Sequence, residues 1–330
     1  MNTISYKGSK RKLLDHILKL STGKTFFDGF SGSGIVSAHM RANGFTVSSN
    51  DKNYSSFIYS SVFLNGYEQK VVDHHVAEMN GLDGVAGWLT QHYGGERFRK
   101  SKRSDGTTGI LPSAFTTENS MKLDAARDYI DGLEINSNDK NALIFSCLLA
   151  SNQAMNNGAD QKSSFKQWLP KALKPVKFAA PENISGPKGT VHSGDIFCVG
   201  GQYDTIYFDP PYTATLNYNS AYHINDSIAM WDKPELDHDY ALPRPARACV
   251  SGGGFYSKKT IADDFRRLVN AFSGRIIISY SDAPRNLISI DELVSVLGSV
   301  DVISVGHKLS TQFTCQQKQS TKLNEYLIVL

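Results

Sequence analysis

Three short stretches carry the residues whose types and spacing could do chemistry. The first is Asp209-Pro210-Pro211-Tyr212. An exocyclic amino nitrogen on a nucleic-acid base is a poor nucleophile, because its lone pair is delocalised into the ring. A carboxylate and a backbone carbonyl can accept its two hydrogens and draw it toward a tetrahedral, nucleophilic geometry. Two prolines stiffen such a loop and remove competing N–H donors. Tyr212 offers an aromatic face on which a base can stack once it has left its duplex. The second stretch is Asp28-Gly29-Phe30-Ser31-Gly32-Ser33-Gly34. Glycines at a strand-to-helix turn let backbone N–H groups approach a ligand closely. A dinucleotide loop of the G-x-G-x-x-G type would place glycine at position 37, and Ser37 stands there. Together with the acid at Asp28, this suits a ligand bearing an ammonium better than one bearing a pyrophosphate. S-adenosylmethionine carries an ammonium, a ribose and a sulfonium, and no phosphate. The third is Asp51, about 20 residues beyond the glycine turn, where an acid can accept both ribose hydroxyls. Taken singly, each has a plainer reading: a proline-rich turn after a strand, or an ordinary α/β turn.

The elements around these residues decide between the readings. Leu13, Leu14, Ile17 and Leu18 share one face at helical spacing, which predicts a helix over residues 10–20. A short apolar strand at 25–27 runs into the glycine turn. A helix over 35–42 follows, closed by Asn43-Gly44. A second strand at 45–48 ends near Asp51. Strand, glycine turn, helix, strand, acid: this order opens a doubly wound α/β fold. From about 60 to 187 the rhythm changes to mixed helix and loop, with helices expected at 120–130 and 140–151. The α/β rhythm then returns, with strands expected at 205–208, 275–280, 300–305 and 326–330. Ile261, Phe265, Leu268, Val269 and Phe272 mark an amphipathic helix between them. A core split by a long insertion is the simplest account.

Bulk properties set wide bounds. At 330 residues the chain can hold one large α/β core with an inserted module. A hydrophobic share of 40% and a charged share of 20% are ordinary for a globular protein. The net charge of +3 fits a polyanionic partner without requiring one. Cys147, Cys198, Cys249 and Cys315 have neither paired nor metal-ligand spacing, so reduced, mostly buried thiols and no metal are expected. The histidines have no ligand spacing either. Residues 1–12 are polar and basic, with no stretch suited to a signal peptide or a membrane span. A cytoplasmic location, away from membranes, is the expectation.

The chain resembles the alpha-ordered, Dam-like adenine-N6 DNA methyltransferases, above all those of type II restriction systems, over nearly its whole length. Tyr6-x-Gly8-x-Lys10 is similar to the family's N-terminal motif, whose residues line the cofactor pocket. The stretch from Asp28 through Gly29, Phe30 and Gly32 to Gly34 is similar to the cofactor loop, and Asp51 to the ribose-binding acid. Gly194-Asp195-Ile196 resembles the segment touching the cofactor's adenine, and Asp209-Pro210-Pro211-Tyr212 the catalytic motif. Asn324-Glu325-Tyr326-Leu327-Ile328 is similar to the closing strand. The resemblance implies a Rossmann-like class I α/β fold with a mixed seven-stranded sheet, built from residues 1–60 and 188–330. It further implies a mostly helical target-recognition insertion over 61–187, to which 218–258 can contribute. The implied reaction moves a methyl group from S-adenosylmethionine to adenine N6 in double-stranded DNA, by base flipping and in-line attack. The implied partner in a restriction system is an endonuclease acting on the same site.

Candidates for DNA contact are basic clusters. Arg97, Arg99, Lys100, Lys102 and Arg103 are expected in a loop. Lys162 and Lys166, with Lys171 and Lys174, interleave with Phe165 and Trp168, and Arg244 and Arg247 flank prolines. Phosphate neutralisation needs such charge, although a charge run is also an ordinary solvated surface. Rival readings are the same chemistry on RNA or on cytosine N4, a nicotinamide-dependent oxidoreductase, and a non-catalytic nucleic-acid-binding module. Ser37 and the Asp-Pro-Pro-Tyr loop count against the oxidoreductase. Intact Asp28, Asp51, Asp195 and Asp209 count against the non-catalytic module.

Overall fold

The structure is a computed structural model and describes residues 8, 10–100, 108–158, 160–211, 213, 217–249, 254–308 and 322–330. Seven strands form the main sheet: β1 (Thr25–Asp28), β2 (Thr46–Asp51), β3 (Thr190–Ser193), β4 (Gly201–Phe208), β5 (Phe272–Ser281), β6 (Asp301–Lys308) and β7 (Lys322–Val329). Their order is β3-β2-β1-β4-β5-β7-β6. Neighbours from β3 to β5 pair parallel, while β7 runs antiparallel to both β5 and β6. This is the mixed seven-stranded, Rossmann-like sheet expected from the sequence.

Apolar strands covered on both faces make this arrangement stable. Phe26, Tyr207, Ile277 and Leu327 turn to one face and pack on Leu13, Ile17, Val36 and Met40. Those residues belong to the segment entering helix α1 (Leu14–Leu20) and to α2 (Ile35–Ala42). Phe27, Phe208, Ile276 and Ile278 turn to the other face, against Phe265 and Leu268.

Between β2 and β3 the chain builds a helical lobe from α3 (Tyr54–Asn65), α4 (Gln69–Gly81), α5 (Trp88–Tyr93), α6 (Thr117–Asp131) and α7 (Ser137–Ala154). Side-chain caps fix two of the starts: Thr116 Oγ1 accepts from Asn119 N at 3.2 Å, and Asn136 Oδ1 from Asp139 N at 3.0 Å. A later helix, α8 (His223–Met230), places Ile224 and Ile228 in the same apolar core as Phe63, Leu123, Phe145 and Leu148. Helices α9 (Ile261–Asn270) and α10 (Ile290–Leu297) return to the main sheet.

Three expectations need correction. The basic stretch does not begin in a loop: Arg97, Arg99 and Lys100 lie on strand Glu96–Lys100, which pairs antiparallel with Thr108–Pro112. Helical spacing carried Phe272 into the amphipathic helix, but α9 stops at Asn270 and Phe272 opens β5. Its ring still meets Phe27 and Phe208, so burial was read correctly and the backbone was not. Of the described cysteines, Cys147 is buried whereas Cys198 and Cys249 are exposed.

At Gly274 strand β5 lies against β4 with no room for a side chain. Its φ is +140°, and a Cβ there would lie 1.8 Å from the Tyr203 carbonyl oxygen and 2.9 Å from Ile206 Cδ1. The register between the two strands shifts nearby, between Gln202 and Thr205. Gly274→Ala should therefore destabilise the fold by about 2–4 kcal/mol. A thermal or urea melt reads this directly, and an unchanged midpoint would deny the close approach.

Candidate active site

Parallel strands ending at one edge bring the sequence's acids together. Asp28 ends β1, Asp51 ends β2, Gly194-Asp195 follow β3 and Asp209 follows β4. The strand order reverses direction about β1, where an open α/β sheet leaves a crevice at its carboxyl edge. A cleft of roughly 950 Å³, counting its open mouth, lies there, lined by all four aspartates, Lys10, Phe30, Gly32 and Ile196. Asn50, Phe197, Tyr207, Pro211, Phe255 and Tyr256 also line it.

The glycine loop works as its residues require. Gly32 and Gly34 hold φ of 51° and 73°, where a side chain would be strained. Gly29 has a different reason: a Cβ would meet the Phe208 ring at 2.6 Å. The loop is pinned to β2 by Ser31 N donating to Asn50 O (3.0 Å) and Gly32 N to Asp51 Oδ2 (2.8 Å). Asn53 N donates to the other Asp51 oxygen at 2.9 Å. Gly194 N bonds Asp51 O at 3.0 Å, tying the Asp195 segment to the same strand end. Asp195 then caps the short turn after it by accepting from Phe197 N at 3.0 Å.

Ser37 explains its own departure from the dinucleotide pattern. Its hydroxyl donates to Asp28 Oδ2 at 2.7 Å from the first turn of α2. The other Asp28 oxygen is buried with no hydrogen-bond partner among the described residues. Burial, opposed by Ser37 and reinforced by Asp51 and Asp209, pushes the Asp28 carboxyl up to about 7. Asp51 is also raised by burial, partly offset by its backbone donors. Asp209 is raised by burial, with Lys10 opposing and Glu325 adding to the shift.

Lys10 answers this crowding. Its ammonium lies 3.3 Å from Asp209 Oδ1 and 3.6 Å from Glu325 Oε1. The sequence placed Lys10 among the pocket-lining residues, and it lines the pocket with its charge on the Asp-Pro-Pro-Tyr acid. Ser279 Oγ donates to the same Asp209 oxygen at 2.9 Å, and Tyr207 OH donates to Ser279 at 2.9 Å. Phe255 stacks on Phe197 (5.6 Å, 8°) and meets Phe30 edge-on at 5.7 Å.

Sequence reasoning missed Asn50, Phe197, Tyr207, Phe255, Ser279 and Glu325. Two of them left a signal: Tyr207 sits two residues before Asp209 on one strand face, and Ser279 interrupts the apolar run of β5. Tyr6, Tyr212, Lys102 and Arg103 lie outside the described residues, and of Arg99 and Lys100 only the strand is described.

The remaining basic candidates are not gathered at the cleft. Arg97 spends its guanidinium on the Thr90, Gln91 and Gly94 carbonyls at the end of α5. Arg247 pairs with Asp232 (3.1 Å) and Ser227, and Arg244 stacks on Tyr240 and donates to Lys162 O. Lys162 is half-buried and Lys166 exposed. Among the described residues no cluster of three or more His, Cys, Asp or Glu could hold a metal, and no helix is long and apolar enough to cross a membrane.

The amino-acid sequence matches a known family. The profile described as D12 class N6 adenine-specific DNA methyltransferase matches residues 6–273. The chain belongs to that family. The chain is 27% identical to modification methylase LlaI of Lactococcus lactis subsp. lactis, over 98% of this chain and 54% of the relative. It is 27% identical to type II methyltransferase M.FokI of Planomicrobium okeanokoites, over 98% and 52%. It is 28% identical to type II methyltransferase M.NlaIII of Neisseria lactamica, over 92% of each chain. The chain thus spans about half the length of the first two relatives and nearly all of the third.

The raised Asp28 has a consequence for stability. Its folded pKa of about 7 lies above the unfolded value of 3.8, so ionising it opposes folding. The group costs nothing below pH 3.8; the penalty grows through pH 7 and then stays. Asp28→Asn keeps an acceptor for Ser37 and should stabilise the ligand-free protein by about 1–3 kcal/mol at pH 8. The gap from wild type should narrow steadily between pH 7 and pH 4 in thermal melts. A gap that stayed constant with pH would mean that Asp28 ionises normally.

Proposed function

We propose that this chain is a site-specific DNA methyltransferase acting on the N6 amino group of adenine, with S-adenosylmethionine as its methyl donor. The observation that carries the reading is one cleft holding both the glycine-loop acid Asp28 and the Asp-Pro-Pro-Tyr acid Asp209. Family membership supports the same reaction.

The residues fit the donor. The unpartnered oxygen of Asp28 asks for a cation, which an ammonium supplies. Asp51 keeps lone pairs for ribose hydroxyls beyond its two backbone bonds, and Ile196, Phe197 and Phe255 form an apolar slot for an adenine ring. A pyrophosphate in the same place would face the cleft's four aspartates, which disfavours the oxidoreductase reading. Bound there, S-adenosylmethionine supplies an electrophilic methyl group on its sulfonium.

The chain's own work is binding and orientation. Asp209 accepts one hydrogen of the target amino group, and a loop carbonyl beside Pro210 and Pro211 accepts the other. Tyr212 stacks the extruded base. The lobe over 61–187, joined by 218–258, carries target recognition, and it includes the hairpin strands 96–100 and 108–112. Phe98 and Ile110, paired across that hairpin, are each 69% exposed. The relatives' names as type II methyltransferases favour a restriction system, whose endonuclease would cut the same site when unmethylated.

The test is incubation with labelled S-adenosylmethionine and mixed-sequence duplex DNA, followed by digestion to nucleosides. Label should appear in N6-methyl-2'-deoxyadenosine; label in N4-methyl-2'-deoxycytidine, or label taken up only when RNA replaces the DNA, would overturn the assignment. Asp209→Ala should lower turnover by roughly a thousandfold or more while the donor still binds. Unpairing costs a few kcal/mol, so a mismatch opposite the target adenine should tighten DNA binding; equal affinity would argue against extrusion.

A further inference from the structure

We infer that Ser279, oriented by Tyr207, is a positioning residue that fixes which oxygen of Asp209 meets the target amino group. The inference rests on the adenine-N6 reading and adds the residues that aim its acid.

The sheet register makes the contact. Tyr207 pairs with Ile277 and Phe208 with Ile278 across β4 and β5, so the next step sets Asp209 beside Ser279. Alternation along parallel strands turns Tyr207, Asp209, Ile277 and Ser279 to one face. Ser279 is fully buried and Tyr207 nearly so, at 0% and 1% exposure. Two hydroxyls inside an apolar sheet carry a desolvation cost unless bonded, and apolar residues of similar shape would pack there without it.

Their bonds have a direction. Tyr207 OH donates to Ser279 Oγ, which leaves the Ser279 hydrogen for Asp209 Oδ1, both at 2.9 Å. Lys10 addresses the same oxygen at 3.3 Å. Both fixed partners therefore hold Oδ1, and Oδ2 is the oxygen left for the substrate's N–H. The Lys10 ammonium sits on a four-carbon stem and acts as a point charge, so it does not set the carboxylate plane. A serine fixed in a strand does.

The experiment compares wild type with Ser279→Ala, Ser279→Cys, Ser279→Thr and Tyr207→Phe, by donor affinity, kcat, KM and the pH profile of kcat. The wild type must first place label on adenine N6; if it does not, the parent reading fails and this inference with it. Given that product, Ser279→Ala and the volume-conserving Ser279→Cys should each lower kcat roughly 10- to 100-fold, with donor affinity changed less than about twofold. Ser279→Thr, which keeps the hydroxyl, should recover most of the rate, and Tyr207→Phe should lose roughly three- to tenfold. A hydrogen bond to a carboxylate favours its charged form, so losing it raises the Asp209 pKa. The acid limb of kcat should then move up by about one pH unit in the Ala and Cys variants. Unchanged kcat in either variant would overturn the inference. So would a fall in kcat with an unmoved acid limb and no recovery in Ser279→Thr, because that pattern marks a structural role alone.

Discussion

Negative charge crowded at one edge of a sheet is the constraint around which this molecule is built. Asp28 and Asp209 repel one another across a buried cleft, Asp51 adds to the repulsion, and burial raises all three. Each carboxylate is held in place by a different device. Ser37 holds Asp28, two backbone N–H groups hold Asp51, and Lys10 with Ser279 holds Asp209. The carboxylates differ in what they still lack. Asp28 keeps an unpartnered buried oxygen, whereas Asp209 has its nearest cation built in. One acid is thus left short of a cation, and the other already has one.

The sheet order is what allows such crowding. Adjacent parallel strands β2, β1 and β4 end together, so residues one past or at each terminus converge without any long loop. The same layering supplies the support. Tyr207 and Ser279 reach Asp209 along the face that α1 and α2 cover, while the Phe27, Phe208 and Phe272 rings fill the opposite face and leave Gly29 no room for a side chain. Moving any of these strands by one residue would turn its acid to the wrong face.

What the sequence disclosed follows from what is local. Asp28 to Gly34, Asp51 and Asp209 to Pro211 stand in contiguous patterns next to strands; Asp28, Phe30, Gly32, Asp51, Asp209 and Pro211 line one cleft, whereas Gly29, Gly34 and Pro210 do not. Helix and strand positions were legible to within a few residues, because apolar periodicity is also local. The misreadings come from tertiary facts. Phe272 continues a helical spacing but belongs to a strand, since its partner Gly201 is 71 positions away in the chain. The place of Arg97 is likewise set beyond its own strand: its guanidinium donates to carbonyls at a helix end. Ser279 shows in the sequence only as a polar break in an apolar run: its meaning lies in the residue beside it on β4, and register cannot be read from either strand alone.

The distribution of charge bears on how such a site would meet DNA. A cleft lined by four aspartates repels phosphate, so a duplex cannot enter it whole. Only a base, uncharged and carrying an amino group that carboxylates favour, gains by passing in. On the proposed reaction the phosphodiester backbone is therefore held outside this cleft. On this reading extrusion of the base is a consequence of the cleft's own electrostatics as well as of its depth.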